Sequence, residues 1–361
     1  MRMVLAAGIG TYLRQLVPRV ARLLPSFDLC VLGKTEVLSR FDWTQRGGVK
    51  IVDCRAPIYS VREQIELPYK IPAGTDLLWS PHYNVPVCYR GRLLVTVHDT
   101  MHLAMPQFVK GWHRRLYSHA MFRAVRSKAA AIVCVSRFAK DQVLTYCPAG
   151  KQEVVVVYNA VDSSWLESPR GPSPHPKPYL LFVGSVKPHK NLSRLLEAFG
   201  LLLRKIPHDL IIVGRQEGFI TGDAMANERA ASMRERVTCV GELDHDDDRL
   251  RRFYSHAEAL VLPSLYESFG LPALEAAASG CPIVVSRVGG LPEVYGDAAL
   301  YCDPYDVGDM ADKILRMVTD RELSRRHIDR GRAVAKAYSW DAAAEQVSGL
   351  IRSLLAGSPR H

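Results

Sequence analysis

Glu267 and Glu275, two carboxylates with seven residues between them, carry the clearest chemical signal in the sequence. They bracket a polar loop that runs into a short helix, Ser268-Phe-Gly-Leu-Pro-Ala-Leu274. On either side, Leu260-Val-Leu262 and Ile283-Val-Val285 read as buried strands. Pro272 suits a first helical turn, and Gly280 suits a left-handed C-cap. At such a junction the backbone N–H groups of Phe269, Gly270 and Leu271 aim at whatever lies between the carboxylates. A helix start with unpaired donors binds anions, and the two carboxylates can accept hydrogen bonds from hydroxyls attached to that anion. Sugar, phosphate and ribose fit this chemistry. The same residues also suit a plain loop carboxylate and a helix-dipole partner.

Three further groups invite a chemical reading. Gly8 and Gly10 form Gly-Ile-Gly after the apolar run Val4–Ala7, which reads as a first strand followed by a tight turn and a helix over Leu13–Leu24. A third glycine at position 13 would complete a dinucleotide fingerprint, but Leu13 stands there. What survives is a close-approach loop for a phosphate, or a simple strand–helix turn. His98 and Asp99 follow the apolar run Leu93–Val97, at the strand end where open α/β sheets place ligands. There His98 can hydrogen-bond a substrate hydroxyl or shuttle a proton. Asp244-His-Asp-Asp-Asp248 has a metal-like composition, yet it reads as the N-cap and first-turn acids of the next helix.

The elements that must position these groups alternate strand and helix along the whole chain, which predicts parallel, doubly wound sheets. Predicted strands include Leu29–Leu32, Leu77–Trp79, Leu93–Val97, Ala129–Val135, Val154–Tyr158, Tyr179–Val183, Leu210–Val213, Val237–Val240 and Leu300–Cys302. Five prolines between Ser168 and Pro178 mark a semi-rigid linker. The chain of 361 residues thus divides into residues 1–168, residues 169–340 and a terminal helix over 341–361 that packs back on the first domain.

The net charge of +10 is lopsided: residues 1–168 hold 22 Lys/Arg against 12 Asp/Glu, leaving 25 against 25 in the remainder. No acid lies between Asp99 and Asp141, while Lys110, Arg114, Arg115, Arg123, Arg126, Lys128, Arg137 and Lys140 do. Such a field selects an anionic partner. The predicted helix Gly111–Lys128 carries an apolar stripe of Trp112, Leu116, Ala120, Met121, Ala124 and Val125 flanked by these bases. That pattern suits an anionic membrane surface, or a core helix with a solvated basic face. The sequence has no recognition helix, zinc finger or RNP pattern that would direct the charge to nucleic acid. Eight dispersed cysteines without a CxxC pair point to a reducing cytoplasm and away from a disulfide frame. No apolar run reaches transmembrane length, and the N-terminal run is too short for a signal peptide.

Together these residues resemble glycosyltransferase family 4, the retaining enzymes of the GT-B fold, over essentially the whole chain. The resemblance is carried by Tyr266-Glu-Ser-Phe-Gly-Leu-Pro-Ala-Leu-Glu275 and Phe182-Val-Gly-Ser-Val-Lys-Pro-His-Lys-Asn191. Gly280-Cys-Pro-Ile283, Val288-Gly-Gly-Leu-Pro-Glu293, Tyr158-Asn-Ala-Val-Asp162, His98-Asp99 and Tyr338-Ser-Trp-Asp341 support it. It implies two Rossmann-like domains facing a central cleft. Glu275 would hold the donor ribose, Glu267 the transferred sugar, and the amides of Phe269–Leu271 the sugar and diphosphate. Lys190 would pair with the diphosphate, Gly8 and Gly10 would face the donor, and His98 would contact the sugar. Many members carry Arg where this chain has Ser185, and Lys187 is the available substitute.

The resembling branch with a Gly-Thr-Leu-Glu-Pro-Arg-Lys-Asn loop includes bacterial polysaccharide mannosyltransferases. This implies a hexose, mannose from GDP-mannose or another hexose from a UDP-sugar, moved to a polyprenyl-diphosphate-linked glycan. Such a protein would lie in the cytoplasm, peripheral on the inner membrane face, and need neither cofactor nor metal. The alternatives on the same fold are an epimerase, or a phosphorylase with a pyridoxal phosphate lysine. A nucleic-acid-binding protein is the alternative outside it.

Overall fold

The computed structural model describes all residues except 110, 149, 151, 168–170, 215–223, 245–246 and 357–361. Of the residues named above, Lys110 falls outside them, as do the start of the proline segment and His245 and Asp246 of the acidic cluster. The chain forms two compact units, Met1–Asn159 with Trp340–His361, and Ala160–Ser339.

The first unit holds strands β1 (Leu29–Gly33), β2 (Val49–Asp53), β3 (Leu78–Ser80), β4 (Leu93–Val97), β5 (Ala131–Cys134) and β6 (Glu153–Val156). Its helices are α1 (Ala7–Leu23), α2 (Thr35–Leu38), α3 (Val61–Lys70), α4 (Met101–Ala104), α5 (Trp112–Lys128) and α6 (Arg137–Tyr146). The second unit holds β7 (Tyr179–Val183), β8 (Asp209–Val213), β9 (Val237–Gly241), β10 (Ala259–Leu262), β11 (Ile283–Ser286) and β12 (Ala299–Cys302). Its helices are α7 (Leu192–Gly200), α8 (Ala224–Ser232), α9 (Asp248–Ser255), α10 (Leu271–Ala278), α11 (Leu291–Tyr295), α12 (Val307–Thr319) and α13 (Arg321–Ala337). The last helix, α14 (Trp340–Ala356), belongs to the first unit and packs along α1.

Every strand pair is parallel. The second sheet runs β9-β8-β7-β10-β11-β12, the doubly wound order 3-2-1-4-5-6. Helices cover such a sheet on both faces, so its strands are continuous apolar runs and not alternating ones. β8, β10 and β11 are buried along their whole length. Leu180, Phe182, Leu195, Leu196, Phe199, Leu210 and Ile314 form a core from which solvent is excluded, at about 1.5–3 kcal/mol for each large side chain. Side-chain caps start α9 and α12: Asp247 accepts from the Arg249 amide and Asp306 from the Asp309 amide. The small residues of α10 admit α13 closely, with Gly331 against Ala277.

The first unit departs from the expected pattern in three places. Residues 2–5 form a turn and not a strand, and α1 begins at Ala7, so Gly8 and Gly10 lie inside the helix. With no neighbouring strand to accept its peptide groups, Val4–Ala6 bonds locally, Val4 to Met1 and Ala6 to Met3. Gly10 permits this fold-back, because a Cβ there would stand 2.6 Å from the Val4 carbonyl oxygen. Second, β2 pairs with β1 in a segment where no strand is predicted. Third, α5 buries only the C-terminal half of the expected stripe, Ala124 included. Met121, Phe122 and Val125 are buried, while Trp112 is 76% and Leu116 61% exposed and Ala120 is exposed too.

Arg126 belongs to that buried face, not to the basic surface. Its guanidinium donates to the carbonyls of Cys147 at 2.6 Å, Pro148 at 3.3 Å and Gly150 at 3.2 Å, and only 4% of the residue is exposed. Arg114, Arg115 and Arg123 remain exposed. Arg126→Ala is therefore expected to leave these carbonyls unpaired and lower unfolding stability by about 2–3 kcal/mol. Arg114→Ala leaves the same denaturant midpoint unchanged.

Candidate active site

In a sheet of order 3-2-1-4-5-6 the crevice lies beyond the strand ends where the order reverses, here between β7 and β10. The segments leaving those two ends are Gly184–Asn191 and Pro263–Gly270, which contain Lys190 and Glu267. Asn191 locks them together from a left-handed conformation with φ of 60°. Its side-chain amide donates to the Pro263 carbonyl at 3.0 Å and the Pro304 carbonyl at 2.7 Å. The Leu265 amide completes the lock by donating to the His189 carbonyl at 2.7 Å. Lys190 Nζ then lies 2.5 Å from Glu267 Oε2, both side chains about one-seventh exposed, and Ser264 Oγ donates to the same carboxylate oxygen at 3.3 Å.

The loop after Glu267 is shaped by glycine. Gly289, with φ of +59°, lies so close that a Cβ would stand 2.0 Å from the Glu267 carbonyl oxygen. The neighbouring Gly290 amide donates to that oxygen at 2.9 Å. Gly270 has φ of +83° and opens α10, and Tyr295 Oη donates to its carbonyl at 2.6 Å. Among the described residues no backbone carbonyl accepts from the amides of Gly270 or Leu271, so these donors stay available at the helix start. Phe269 is buried, with its ring edge-to-face on Tyr338. Glu275 is 5% exposed and accepts from Tyr254 Oη at 2.7 Å. Burial, reinforced by the Glu275 carboxylate, raises the Tyr254 phenol well above its usual range, so it stays a donor. Ser268 Oγ is buried with no partner among the described residues, a polar atom that calls for a ligand group.

Lys190, Glu267, Glu275, Phe269, Gly270 and Leu271 thus converge around one helix start. Ser185 and Lys187 stand on the β7 loop, Ser185 half-buried and Lys187 exposed. Lys187 has no carboxylate partner among the described residues, leaving a cation where Ser185 offers none. Ser264, Ser268, Tyr254, Asn191 and Gly289 were not singled out in the sequence. Except for the unpartnered Ser268, their roles arise from contacts across 3 to 113 positions of sequence, and only the Gly-Gly pair carried a visible signal.

In the first unit, His98 stands just past β4, its ring 4.7 Å from that of Tyr12 and edge-on to it. Its Nε2 lies 3.0 Å from the Pro81 carbonyl oxygen, which can only accept, so this nitrogen carries the proton. Burial lowers the His98 pKa to about 4, leaving a neutral ring with Nδ1 as an acceptor. His82 is lowered to about 3 by burial and by its neighbours His98 and His102. Asp99 caps α4 by accepting from the Met101 amide at 3.0 Å. Trp112, Arg114, Arg115 and Arg123 lie on the exposed face of α5. Gly8 and Gly10 lie in the first turn of α1, a helix whose first turn has no acid.

Residues 6–165 match the model of Glycosyltransferase Family 4 and residues 163–334 that of Glycosyl transferases group 1. O-antigen chain mannosyltransferase B of Escherichia coli is 30% identical over 279 residues, covering 73% of this chain and 71% of that one. This chain belongs to glycosyltransferase family 4. The Glycogen synthase of Mycobacterium tuberculosis is 28% identical to the transferase over 290 residues, covering 75% of this chain and 68% of that one. Among solved structures, sucrose-phosphate synthase from Thermosynechococcus elongatus superposes with a TM-score of 0.77 at 22% identity, covering 98% of this chain and 95% of that one. Anabaena Alr3699/HepE in complex with UDP and glucose gives 0.72 at 17% identity, covering 94% and 95%. These likenesses show the GT-B fold, with its two Rossmann-like parallel-sheet domains. Among the described residues of the transferase, no helix is long and apolar enough to cross a membrane.

Two outcomes follow from this geometry. Gly289→Ala is expected to displace the Glu267 backbone and cut turnover at least tenfold, with an unchanged far-ultraviolet circular dichroism spectrum. For the histidines, the folded pKa values of about 4 and about 3 lie below the ordinary value of 6.5. The unfolded chain therefore binds protons first, so stability present above pH 6.5 is lost as pH falls towards 4. The urea midpoint is expected to drop between pH 7 and pH 5, and His98→Asn flattens that slope.

Proposed function

We propose that this glycosyltransferase moves a mannosyl residue from GDP-mannose to a polyprenyl-diphosphate-linked glycan, with retention, in surface polysaccharide synthesis. The observation that carries the reading is the convergence of Lys190, Glu267, Glu275 and the start of α10 at the switch point of the second sheet. Breaking a glycosyl phosphate bond puts charge on the leaving diphosphate, and a fixed positive potential there lowers the barrier. Lys190, Lys187 and the amides of Gly270 and Leu271 supply it, without a metal in this proposal. Glu275 takes the ribose hydroxyls and Glu267 the sugar hydroxyls, exchanging part of its pairing with Lys190 for the donor. His98 offers Nδ1 to a sugar hydroxyl. The acceptor hydroxyl attacks the anomeric carbon as the bond to phosphate breaks, and its proton passes to the leaving phosphate oxygen.

The mannose assignment leans on the resemblance to O-antigen mannosyltransferases. A UDP- or ADP-linked hexose is the second reading, favoured by the similarity to Glycogen synthase. The proposed acceptor and location are supported by the surface of the first unit. The exposed face of α5 presents Trp112, Arg114, Arg115, Leu116 and Arg123, and α3 presents Val61, Ile65 and Tyr69 at 70–86% exposure beside Arg62 and Lys70. Exposed apolar and basic side chains together on each helix suit the interface of an anionic bilayer, here the inner face of the cell membrane, with the protein peripheral and cytoplasmic.

The test is transfer from GDP-mannose, UDP-glucose and ADP-glucose to a polyprenyl-diphosphate glycan on anionic vesicles. GDP-mannose is expected to be preferred, with loss of at least a hundredfold in Glu275→Ala. Equal turnover in that variant contradicts the site. Full activity without vesicle binding contradicts the membrane assignment alone.

A further inference from the structure

A cluster of tyrosines and histidines gathers where β3 and β4 end. The two strands are paired neighbours, and the segments leaving them lead to His82 and Tyr83 in one case and to His98, Asp99 and His102 in the other. Tyr59 joins them from the loop before α3. Its Oη lies 3.2 Å from His82 Nε2, and its ring stands edge-on to that of Tyr117 at 6.3 Å. Tyr83 is stacked on Phe122 with ring centroids 4.5 Å apart, and its Oη lies 3.3 Å from His102 Nδ1.

Proton positions in this cluster follow from its hydrogen bonds. His82 Nδ1 accepts from the Asn84 amide at 3.1 Å, and burial, with His98 and His102 close by, lowers the His82 pKa to about 3. The ring is therefore neutral with its proton on Nε2, which donates to Tyr59 Oη. Burial, and then the Asp99 and Glu63 carboxylates, push the Tyr59 phenol up to about 12 against a bond from Tyr83. Tyr59 thus keeps its own proton. His82 and His98 are neutral, and Arg2, the cation that reaches this network, is paired with Glu63. A phosphate would meet the Asp99 carboxylate without a cation to balance it. An uncharged polyol would find donors and acceptors only.

The backbone of Tyr59 is held in the left-handed region, with φ of 64°, which is rare for a bulky residue. In an ordinary capping box the third helical residue bonds the N-cap amide. Here Ser60 Oγ accepts from the Glu63 amide at 3.1 Å, but Glu63 Oε2 accepts from the Tyr59 amide at 2.6 Å, one residue earlier. The same carboxylate oxygen accepts from Asn84 Nδ2 at 2.6 Å. Gln64 fixes α3 further by donating to the Val85 carbonyl at 3.2 Å and accepting from the Val87 amide at 2.9 Å. The ring that all this positions is 46% exposed, so its own burial does not offset the strain. Backbone strain held in place by its surroundings is characteristic of ligand contacts.

We infer that Tyr59 and Asp99, positioned by His82 and Glu63, bind an uncharged sugar ring of the acceptor glycan. The apolar C–H face of the sugar lies on the phenol ring, one sugar hydroxyl accepts from Tyr59 Oη, and another donates to Asp99. This rests on the proposed transfer to a glycan and names the part of that acceptor which the first unit reads.

The test titrates methyl α-mannoside, methyl α-glucoside, methyl α-galactoside and methyl N-acetylglucosaminide into the full-length wild type, Tyr59→Asn and Tyr59→Phe. Asn tolerates positive φ, so Tyr59→Asn is expected to keep the wild-type melting temperature. At least one glycoside is expected to bind the wild type, and to bind Tyr59→Asn about tenfold more weakly, with Tyr59→Phe between them. The acceptor KM is expected to rise by the same factors. Wild-type glycoside affinity in Tyr59→Asn overturns the inference while glycan transfer by the wild type stands. Failure of all four glycosides to bind the wild type overturns it too. So does loss of binding to anionic vesicles in Tyr59→Asn with glycoside affinity intact, which assigns the ring to the membrane. Absence of glycan transfer alongside Tyr59-dependent glycoside binding instead overturns the proposed acceptor and upholds the sugar site.

Discussion

One side chain holds the donor-side geometry together. Asn191 sits in a left-handed conformation and spans two carbonyls that leave different strands, those of Pro263 and Pro304. Without it, the loops leaving β7 and β10 share only the bond from Leu265 to His189 among the described backbone pairs. The chemistry needs Lys190 and Glu267 held side by side, and both are long, flexible side chains that lose rotamer freedom when fixed. Anchoring their backbones first makes that ordering affordable. The Gly289-Gly290 turn does the same from the opposite side, since only a residue without Cβ can approach the Glu267 carbonyl so closely.

The two units differ in how much of them was legible in advance, and for a physical reason. In the second unit β8, β10 and β11 are aliphatic-rich runs buried along their whole length, so there the apolar pattern and the element coincide. Glu267, Pro272 and Gly280 could be placed on loop, helix start and helix end from residue type alone. In the first unit, Val4–Ala7 has the composition of a strand but no neighbour to pair with, and the chain folds into a turn and helix instead. Arg126 shows the other limit: charge predicts a surface, but a guanidinium that meets three carbonyls is held inside. The roles of Asn191 and Tyr254 were invisible because their meaning lies in partners far away along the chain.

The charge of the first unit takes on a sharper form once burial is known. Arg126 drops out, and the remaining bases of α5 lie with Trp112 and Leu116 on a face without acids. Of the two acids of α3, Glu66 pairs with Arg62 at 3.2 Å and Glu63 points inward. Glu63 is 2% exposed, pairs with Arg2 and accepts from Asn84, which in turn accepts from Tyr117 of α5. That network ties α3 to α5 and leaves Val61, Ile65 and Tyr69 outward beside Arg62 and Lys70.

The central claim is that the switch point of the second sheet holds a nucleotide sugar, with its diphosphate on Lys190 and its sugar on Glu267. Calorimetric affinities of Lys190→Met and Glu267→Gln for GDP and for GDP-mannose test it most directly. The account predicts that Lys190→Met weakens both ligands by about tenfold, the worth of one charge-assisted hydrogen bond. It also predicts that Glu267→Gln weakens GDP-mannose alone and leaves GDP unchanged or tighter, because Lys190 is released from its ion pair. Wild-type affinity for both ligands in both variants would contradict it.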